Sequence, residues 1–350
     1  MRIVTYNVEW FDSLFAHDGS PLLDGKWSSR YNVTRLDQLE SLGIVFNALD
    51  ADAIMVIEAP DTSRRRETVR ALEQFADWAG IRANTIELGF VNETQQEIAL
   101  MYDPLVLRAR HDPKGAPIPF GATGEPPAFN SVYRIDLDTD RDRDPVEFSK
   151  PPLELAVEVR ESGFAFRMIG VHVKSKAPHG ARSRDDVIRL SIENRRKQLA
   201  QCIWLRERIE LHLKAHEPLI VLGDFNDGPG LDEYEKLFGR SGVEIVMGRE
   251  DPDLPVALRL SDPNAAIVHA RRGTAGPSTA RFYIEPEKRY LSAMLDYVML
   301  SQDLAKAANW RIWHPFDDPV CFETQELREA LLAASDHFPV SVDIDLEKVM

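Results

Sequence analysis

Polar residues at the ends of apolar runs are the feature of this sequence that most restricts its fold. Four of them come at the end of a short apolar run with the composition of a buried strand, and the others precede one. Where neighbouring strands are antiparallel, the end of one and the start of the next share a sheet edge. Side chains from distant segments can therefore meet along one edge. The residues concerned are Asn7, Glu58, His172, Asp224, Asp296 and the adjacent pair Asp336 and His337.

The positions of these residues argue for one domain rather than two. A chain of 350 residues could form two domains, but the first polar position is residue 7 and the last is residue 337. Both ends of the chain are thus needed for one site, and we predict a single catalytic domain over residues 1–350. Strand-like runs alternate with helical periodicity, which predicts an α/β fold of two halves packed sheet against sheet with helices outside.

The sequence indicates a cytoplasmic protein. It begins without a basic segment followed by an apolar stretch, and it contains no run of 18 apolar residues, so we predict neither a signal peptide nor a membrane span. Two cysteines, Cys202 and Cys321, are too few for a disulfide framework and are typical of a reducing compartment. No membrane partner and no obligate protein partner are indicated.

The formal net charge of −15 leaves the substrate class open. Proteins that bind nucleic acid without sequence preference usually carry a basic face. Here the basic residues are clustered, and the largest cluster runs from Arg182 to Lys197. Such a cluster could neutralise phosphates, although a solvated helix face explains any single patch equally simply.

Local patterns predict several elements. Apolar spacing predicts a long helix from Ser183 to about Lys214 with its arginines facing solvent, and a second helix capped by Thr62 and ended by Gly80. We predict hairpins around Asp103-Pro104 and around Ser162-Gly163, because turn residues there separate two strand-like runs.

Glu58 and the segment GDFND are the first candidates for chemistry. Glu58 ends an apolar strand, where an ionised carboxylate must be paired or bound to a cation, unless it already lies in solvent. Asp224 and Asn226 are two residues apart and would point the same way in an extended chain, offering a carboxylate and an amide to a metal or a phosphate. The same residues also suit a plain turn.

Two histidines complete the set of candidates. Asp296 opens one strand-like run and His337 precedes another, and a carboxylate beside an imidazole fixes its tautomer and raises its pKa. His172 ends a run and is followed by Lys174 and Lys176 at alternate positions. Each of these residues, taken alone, has a purely structural explanation. Because such residues recur at so many strand ends, the sequence indicates a catalytic site along one edge of the sheets.

Together these motifs resemble the endonuclease/exonuclease/phosphatase superfamily, which includes deoxyribonuclease I, exonuclease III and the abasic-site endonucleases. The matching segments span nearly the whole chain in family order. The resemblance implies a four-layer α/β/β/α sandwich and divalent-metal phosphoester hydrolysis. The segments are TYNVEWF, VIEAPD, EIALMYDP, VHVKSK, VLGDFNDGP, LDYVMLS and SDHFPVSV.

On the metal side, the resemblance implies four ligands. Glu58 resembles the principal Mg²⁺ ligand, assisted by Asn7 and Glu9, and Asp336 resembles a second carboxylate on the metal side. Oxygen ligands without cysteine favour Mg²⁺ over Zn²⁺, with Mn²⁺ as an alternative.

On the phosphate side, the resemblance implies five residues. Asp224 and Asn226 resemble the pair that orients the attacking water and contacts the phosphate. Asp296 resembles the acid that orients the terminal histidine, here His337, and His172 resembles the histidine on the phosphate or leaving-group side. Whether Asp224 or the His337–Asp296 pair is the general base stays open.

The sequence departs from the family pattern in two places. Abasic-site endonucleases read NVNG or NVDG where this chain reads NVEW, which is closer to bacterial nucleases of the NVEN type, and VHVKSK is similar to their HFKSK. Several family nucleases have an arginine before a proline where this chain has Lys150, which keeps the charge without the bidentate guanidinium. Lys150, Lys174, Lys176 and Asn7 are the expected substrate-binding residues.

These patterns leave three functions open. A nuclease acting on DNA or RNA is favoured by the NVEW and VHVKSK motifs. A hydrolase of small phosphoesters, such as an inositol phosphate, a nucleotide or a lipid headgroup, is favoured by the negative net charge. A non-catalytic binding module ranks last, because every expected polar group is present.

Overall fold

Two large mixed β-sheets form the centre of the protein. The computed structural model describes residues 1–62, 67–90, 96–117, 124–136, 143–178, 180–228, 239, 241–270, 276–284 and 288–350. The strands are β1 (Arg2–Asn7), β2 (Ala53–Pro60), β3 (Thr85–Leu88), β4 (Gln96–Tyr102), β5 (Leu107–His111), β6 (Tyr133–Ile135), β7 (Asp144–Val146), β8 (Leu153–Val159), β9 (Ala165–His172), β10 (Leu219–Asp224), β11 (Ala280–Ile284), β12 (Arg289–Ala293), β13 (Asp296–Leu300), β14 (Ala308–Ile312) and β15 (Val340–Ile344). The α-helices are α1 (Arg35–Leu49), α2 (Thr68–Ala79), α3 (Arg184–Lys214), α4 (Gly242–Met247), α5 (Pro263–Ala270), α6 (Gln302–Ala305), α7 (Pro319–Glu323) and α8 (Gln325–Ala334).

Three apolar cores separate four layers of secondary structure, which confirms the predicted α/β/β/α sandwich. One core lies between the first sheet and α1, α2 and α8, with Phe46 packed edge-on against Phe75. A second lies between the second sheet and α3 and α4, around Trp204. The third fills the space between the sheets, where a side chain at Gly170 would overlap the sulfur of Met55. Glycine therefore allows the sheets to approach closely.

The strand order brings functional ends to a common edge. In the first sheet the order is β14-β15-β1-β2-β4-β3, and in the second it is β13-β10-β9-β8-β5. Each sheet has a parallel central pair, β1 with β2 and β9 with β10, flanked by an antiparallel strand, β15 or β13. The ends of β1, β2, β9 and β10 therefore meet the starts of β13 and β15.

The helix predictions are largely confirmed. Ser183 caps α3, because its hydroxyl accepts the Asp186 N–H over 3.1 Å. Gly80 ends α2 in the left-handed conformation, but Thr62 is not its cap, since α2 begins only at Thr68. Thr62 instead shares a 2.8 Å hydrogen bond between its hydroxyl and that of Thr68. No helix within the described residues is long and apolar enough to cross a membrane.

One of the two predicted hairpins is wrong. The strands around Ser162-Gly163, β8 and β9, pair as expected. Those around Asp103-Pro104 do not, because β4 pairs with β2 and β3 whereas β5 pairs with β8 in the other sheet. The turn at Asp103 carries the chain between sheets, and a local turn signal cannot distinguish the two outcomes.

Candidate active site

The strand register lines up three polar residues at the edge of the second sheet. His172 on β9 pairs with Asp224 on β10, which pairs with Asp296 on β13. The first sheet ends at the same edge, where Asn7 Nδ2 donates to Asp224 Oδ2 over 3.0 Å. Ligand atoms of Asp224, Asp296 and His337 lie within 4.8 Å of one another. The structure thus brings these five residues together.

Glu58 lies at a β-bulge rather than at the end of its strand. β2 continues to Pro60, and its register with β4 shifts at Glu58, whose φ is 64°. Bulges redirect side chains, and Glu58 Oε1 lies 3.8 Å from His172 Nε2 in the other sheet. Burial raises the pKa of Glu58, and the charge of Lys150 opposes this shift.

Lys150 and Gln96 connect Glu58 with His172. Lys150 donates to Gln96 Oε1 and lies 3.0 Å from His172 Nδ1, while Gln96 Nε2 donates to Glu58 Oε2. An ammonium only donates, so His172 Nδ1 accepts and the ring proton is on Nε2, 3.7 Å from Asp224 Oδ2. Burial and the charge of Lys150 lower the pKa of His172 well below its ordinary value, so this histidine is neutral.

Asp224 is buried and accepts several hydrogen bonds. Oδ1 accepts the Asn226 N–H over 2.7 Å, and Oδ2 accepts from the side-chain amides of Asn226 at 3.2 Å and Asn7 at 3.0 Å. Burial, followed by repulsion from Asp296, raises the pKa of Asp224 to about 7. A carboxyl group with that pKa exchanges protons near neutral pH, as a general acid or base must.

The fully buried Asp227 holds the loop that follows Asp224. Its carboxylate accepts the Gly242 N–H over 2.7 Å and pairs with Arg195 at 3.0 Å and Lys176 at 3.1 Å. Arg195, Arg206 and Arg208 are buried, so the prediction that the arginines of α3 face solvent is wrong for these three residues. Lys176 is tied to Asp227, whereas Lys174, two residues after the end of β9, is half-buried.

Asp296 and His337 form a buried pair. His337 Nδ1 lies 2.7 Å from Asp296 Oδ2, to which the Thr279 hydroxyl also donates over 2.8 Å. Burial alone would lower the pKa of His337, but the charge of Asp296 and this hydrogen bond outweigh it and raise the pKa well above its ordinary value. His337 is therefore a cation at neutral pH, with Nδ1–H directed to Asp296 and Nε2–H directed away from it.

Glu9 and Asp336 add carboxylates to the Glu58 side of the site. Arg30 pairs with Glu9, but burial and the charge of Asp336 still raise the pKa of Glu9 to about 7. Within the described part of the chain, Oδ1 of Asn7 and Oδ1 of Asp336 are buried and accept no hydrogen bond. Buried oxygens without donors, beside mutually repelling acids, fit a hard divalent cation.

One known protein family matches nearly the whole chain. The sequence pattern of the Endonuclease/Exonuclease/phosphatase family matches residues 4–337. The chain belongs to this family. Members of the family are phosphoesterases, which makes the chain a phosphoester hydrolase by family and confirms the resemblance carried by its motifs. A search of the curated proteins found no significant match.

Solved structures of the family are similar to nearly all of this chain. TDP2 from Caenorhabditis elegans is 12% identical with a TM-score of 0.49, over 98% of this chain and 73% of that chain. The 3′ phosphatase NExo from Neisseria, bound to a product DNA hairpin, is 16% identical with a TM-score of 0.48, over 99% of both chains. An AP endonuclease from Archaeoglobus fulgidus is 12% identical with a TM-score of 0.46, over 99% of both chains.

Three residues that support the site were not predicted. Gln96 links Glu58 to Lys150, and Thr279 orients Asp296. The Ser335 hydroxyl donates to the Asn7 carbonyl over 2.8 Å. Ser335 directly precedes Asp336, and this position is the one sequence signal that could have indicated it. No local pattern marks Gln96 or Thr279, whose partners lie between 17 and 54 residues away in the chain.

Proposed function

We propose that the protein is a divalent-metal-dependent nuclease that cleaves phosphodiester bonds by in-line attack of water. The observation that carries the proposal is the convergence of both sheets on one edge. The carboxylates of Glu9, Glu58 and Asp336 gather on one side. There, within the described residues, the buried Oδ1 atoms of Asp336 and Asn7 accept no hydrogen bond. The imidazoles of His172 and His337 lie near Asp224. This arrangement offers a cation site and a phosphate site side by side.

Glu58, Asp336 and Asn7 would hold the cation, with Glu9 beside them. Their donor atoms are oxygens, which suits Mg²⁺, with Mn²⁺ as an alternative. When bound, the ion would offset negative charge on the reacting phosphate and on the leaving oxygen.

The two histidines would bind the phosphate in different protonation states. The His337 cation presents Nε2–H and so supplies both a donor and a positive charge. Neutral His172 presents Nε2–H as a donor, because Lys150 occupies its Nδ1. Donors held in place before reaction stabilise the charge that develops on the phosphate.

Asp224 would accept the proton of the attacking water. His337 is already protonated and cannot take it, whereas the pKa of Asp224 is about 7. Its hydrogen bonds to Asn7 and Asn226 fix the orientation of the carboxylate. The protonation states therefore favour Asp224 over the His337–Asp296 pair, the choice that the sequence left open.

Exposed basic residues after β9 favour a polynucleotide substrate. Arg182 and Arg184 are exposed and follow His172 through Lys174. A second candidate, hydrolysis of a small phosphoester, is favoured by the net charge of −15.

Two free, buried cysteines fit a reducing compartment, and we propose a cytoplasmic location for the enzyme.

A substrate panel separates the two candidates. Plasmid DNA, single-stranded DNA and RNA, and a set of phosphomonoesters are incubated with the protein and Mg²⁺. The double variant Lys174→Ala/Arg184→Ala should weaken polymer binding and lower the log–log salt slope by about one unit for each phosphate that is no longer neutralised. The matched control Arg108→Ala/Arg110→Ala, on the edge strand β5, should not. Equal losses on polymers and phosphomonoesters would favour the small-molecule hydrolase.

A further inference from the structure

Trp10 has a backbone conformation that a tryptophan rarely adopts. Its φ and ψ are 56° and 34°, in the left-handed region. Of the described non-glycine residues with positive φ, several are Asn, Asp or His, which tolerate this region, whereas a bulky aromatic residue there is an outlier. Glycine or asparagine at this position would relieve the strain, so the tryptophan side chain needs an explanation of its own.

The surrounding backbone requires the left-handed turn but not the indole. The Trp10 N–H donates to the Glu58 carboxylate, which helps to hold the pKa of that group down. The Trp10 carbonyl accepts from the N–H and the hydroxyl of Ser13 at 3.0 and 2.8 Å, at the start of a short 3₁₀ helix (Phe11–Leu14). A glycine would make the same three backbone hydrogen bonds.

The Trp10 indole is less buried in the protein core than the side chains of the residues that follow it. Trp10 is 44% exposed, whereas Phe11 and Leu14 are fully buried. Among the residues that the structure describes, its ring makes no contact with another aromatic ring and its indole N–H makes no hydrogen bond. The residue follows Glu9 directly and its N–H contacts the Glu58 carboxylate, so this half-exposed residue lies next to the acids of the candidate site.

The opposite side of the site is also aromatic. The hairpin of β11 and β12 is attached to the catalytic edge, because the Arg281 N–H donates to the Asp336 carbonyl over 2.7 Å. The next residue, Phe282, places its ring edge-on against His337 at a centroid distance of 5.6 Å. Trp10 is therefore an aromatic residue next to the proposed cation ligands, and Phe282 is an aromatic residue in contact with the histidine.

Aromatic rings at the site suit a ligand that carries its own flat ring. With a net charge of −15, the protein has little long-range attraction for phosphates. Stacking of bases on aromatic side chains provides affinity that does not depend on net charge, and it requires bases that are not paired in a duplex. We propose that the Trp10 indole stacks on an unpaired base of the nucleotide next to the scissile phosphate. The inference rests on the proposed nuclease function and specifies single-stranded or locally unpaired nucleic acid as its substrate.

Two substitutions at residue 10 test the stacking. Trp10→Gly removes the ring and fits the backbone, whereas Trp10→Phe keeps an aromatic ring under the same strain. Binding of a labelled single-stranded oligonucleotide is measured by fluorescence anisotropy in EDTA, so that no cleavage occurs. We expect Trp10→Gly to raise the Kd about tenfold or more, and Trp10→Phe to restore most of the affinity. An oligomer of base-free sugar phosphates should lose much less affinity.

Matched controls separate stacking from strain and from surface hydrophobicity. His216 also has φ 56°, after the end of α3 and at the opposite end of β10 from Asp224, so His216→Gly reports on strain alone. Trp78 is 38% exposed near the end of α2, so Trp78→Ala removes a similar exposed indole elsewhere. Neither should change the Kd.

The outcomes separate this inference from the function on which it rests. An unchanged Kd for Trp10→Gly, or equal losses on the oligonucleotide and the base-free polymer, would overturn the stacking proposal even if the wild type cleaves nucleic acid. A lower melting temperature with an unchanged Kd would assign the indole a structural role and overturn it equally. If the wild type cleaves only small phosphoesters, the nuclease proposal itself fails.

Discussion

Replacing Asp296 with Asn should reverse the protonation state of His337 while preserving the fold. The change is isosteric, and the Thr279 hydroxyl can still donate to the side-chain oxygen. What is lost is a charge 2.7 Å from the imidazole. At an effective dielectric constant of about 20, that attraction amounts to about 6 kcal/mol before desolvation is subtracted.

Without this attraction, burial is opposed only by the charges of Asp224 and Asp336, whose effects on the pKa of His337 are smaller than that of burial. We expect burial to prevail and to lower the pKa of His337 below the ordinary value near 6.5. The histidine would then lose its proton instead of remaining as an unpaired buried charge. The cost to folding stays moderate for that reason, and the loss appears mainly in the rate. We expect a decrease of about a hundredfold or more, as for other lost electrostatic donors.

The assay combines single-turnover cleavage with an NMR titration of the imidazole resonances. In the wild type, the His337 imidazole should stay protonated well above pH 6.5. In Asp296→Asn, the same imidazole should titrate below pH 6.5. Asp262→Asn is the matched control, since Asp262 is equally buried but contacts the β13 backbone at Val298. If His337 stays protonated in Asp296→Asn, or if the losses in rate simply add in the double variant with His337→Ala, then Asp296 does not control the charge of His337.

Three further predictions concern the cation site and its support. Glu58→Gln should keep the fold but weaken Mg²⁺ binding in calorimetry, and unchanged affinity would remove Glu58 from the site. The pKa of Glu9, about 7, and the raised pKa of Glu58 predict that Mg²⁺ affinity rises with pH and levels off above about 7, because these acids must lose protons before they bind the ion. Calorimetry in buffers of different ionisation enthalpy should detect proton release at pH 6. Arg195→Met leaves the buried charge of Asp227 without its guanidinium and should destabilise the protein by about 3–5 kcal/mol in urea unfolding.

The sequence correctly predicted that these polar residues meet at one edge, because strand pairing brings residues that are distant in the chain into contact. Asn7 and Asp224 are 217 residues apart, yet each ends a central strand, and the two side chains share a hydrogen bond. Asp224 and Asp296 become register partners for the same reason. For these residues, a polar position at the end of an apolar run was therefore sufficient to predict their location at a shared sheet edge.

Other features depend on contacts that no local pattern encodes. Gln96 begins an ordinary strand and joins the site only because Lys150 and Glu58 lie on either side of it. Arg195 has the helical spacing of a surface residue but is buried by its ion pair with Asp227. The bulge at Glu58 is likewise invisible in a continuous apolar run, although it decides where the carboxylate lies.

The metal dependence of cleavage is the decisive test of a single phosphodiesterase site built by both sheets. The protein is treated with EDTA and dialysed, and Mg²⁺ is then titrated against cleavage of a single-stranded oligonucleotide and, in parallel, against binding in a calorimeter. We expect no cleavage in EDTA, recovery of cleavage on adding Mg²⁺, and the same Mg²⁺ midpoint for binding and for rate. Cleavage that persists in EDTA at the full rate, or Mg²⁺ binding that leaves the rate unchanged, would contradict this expectation.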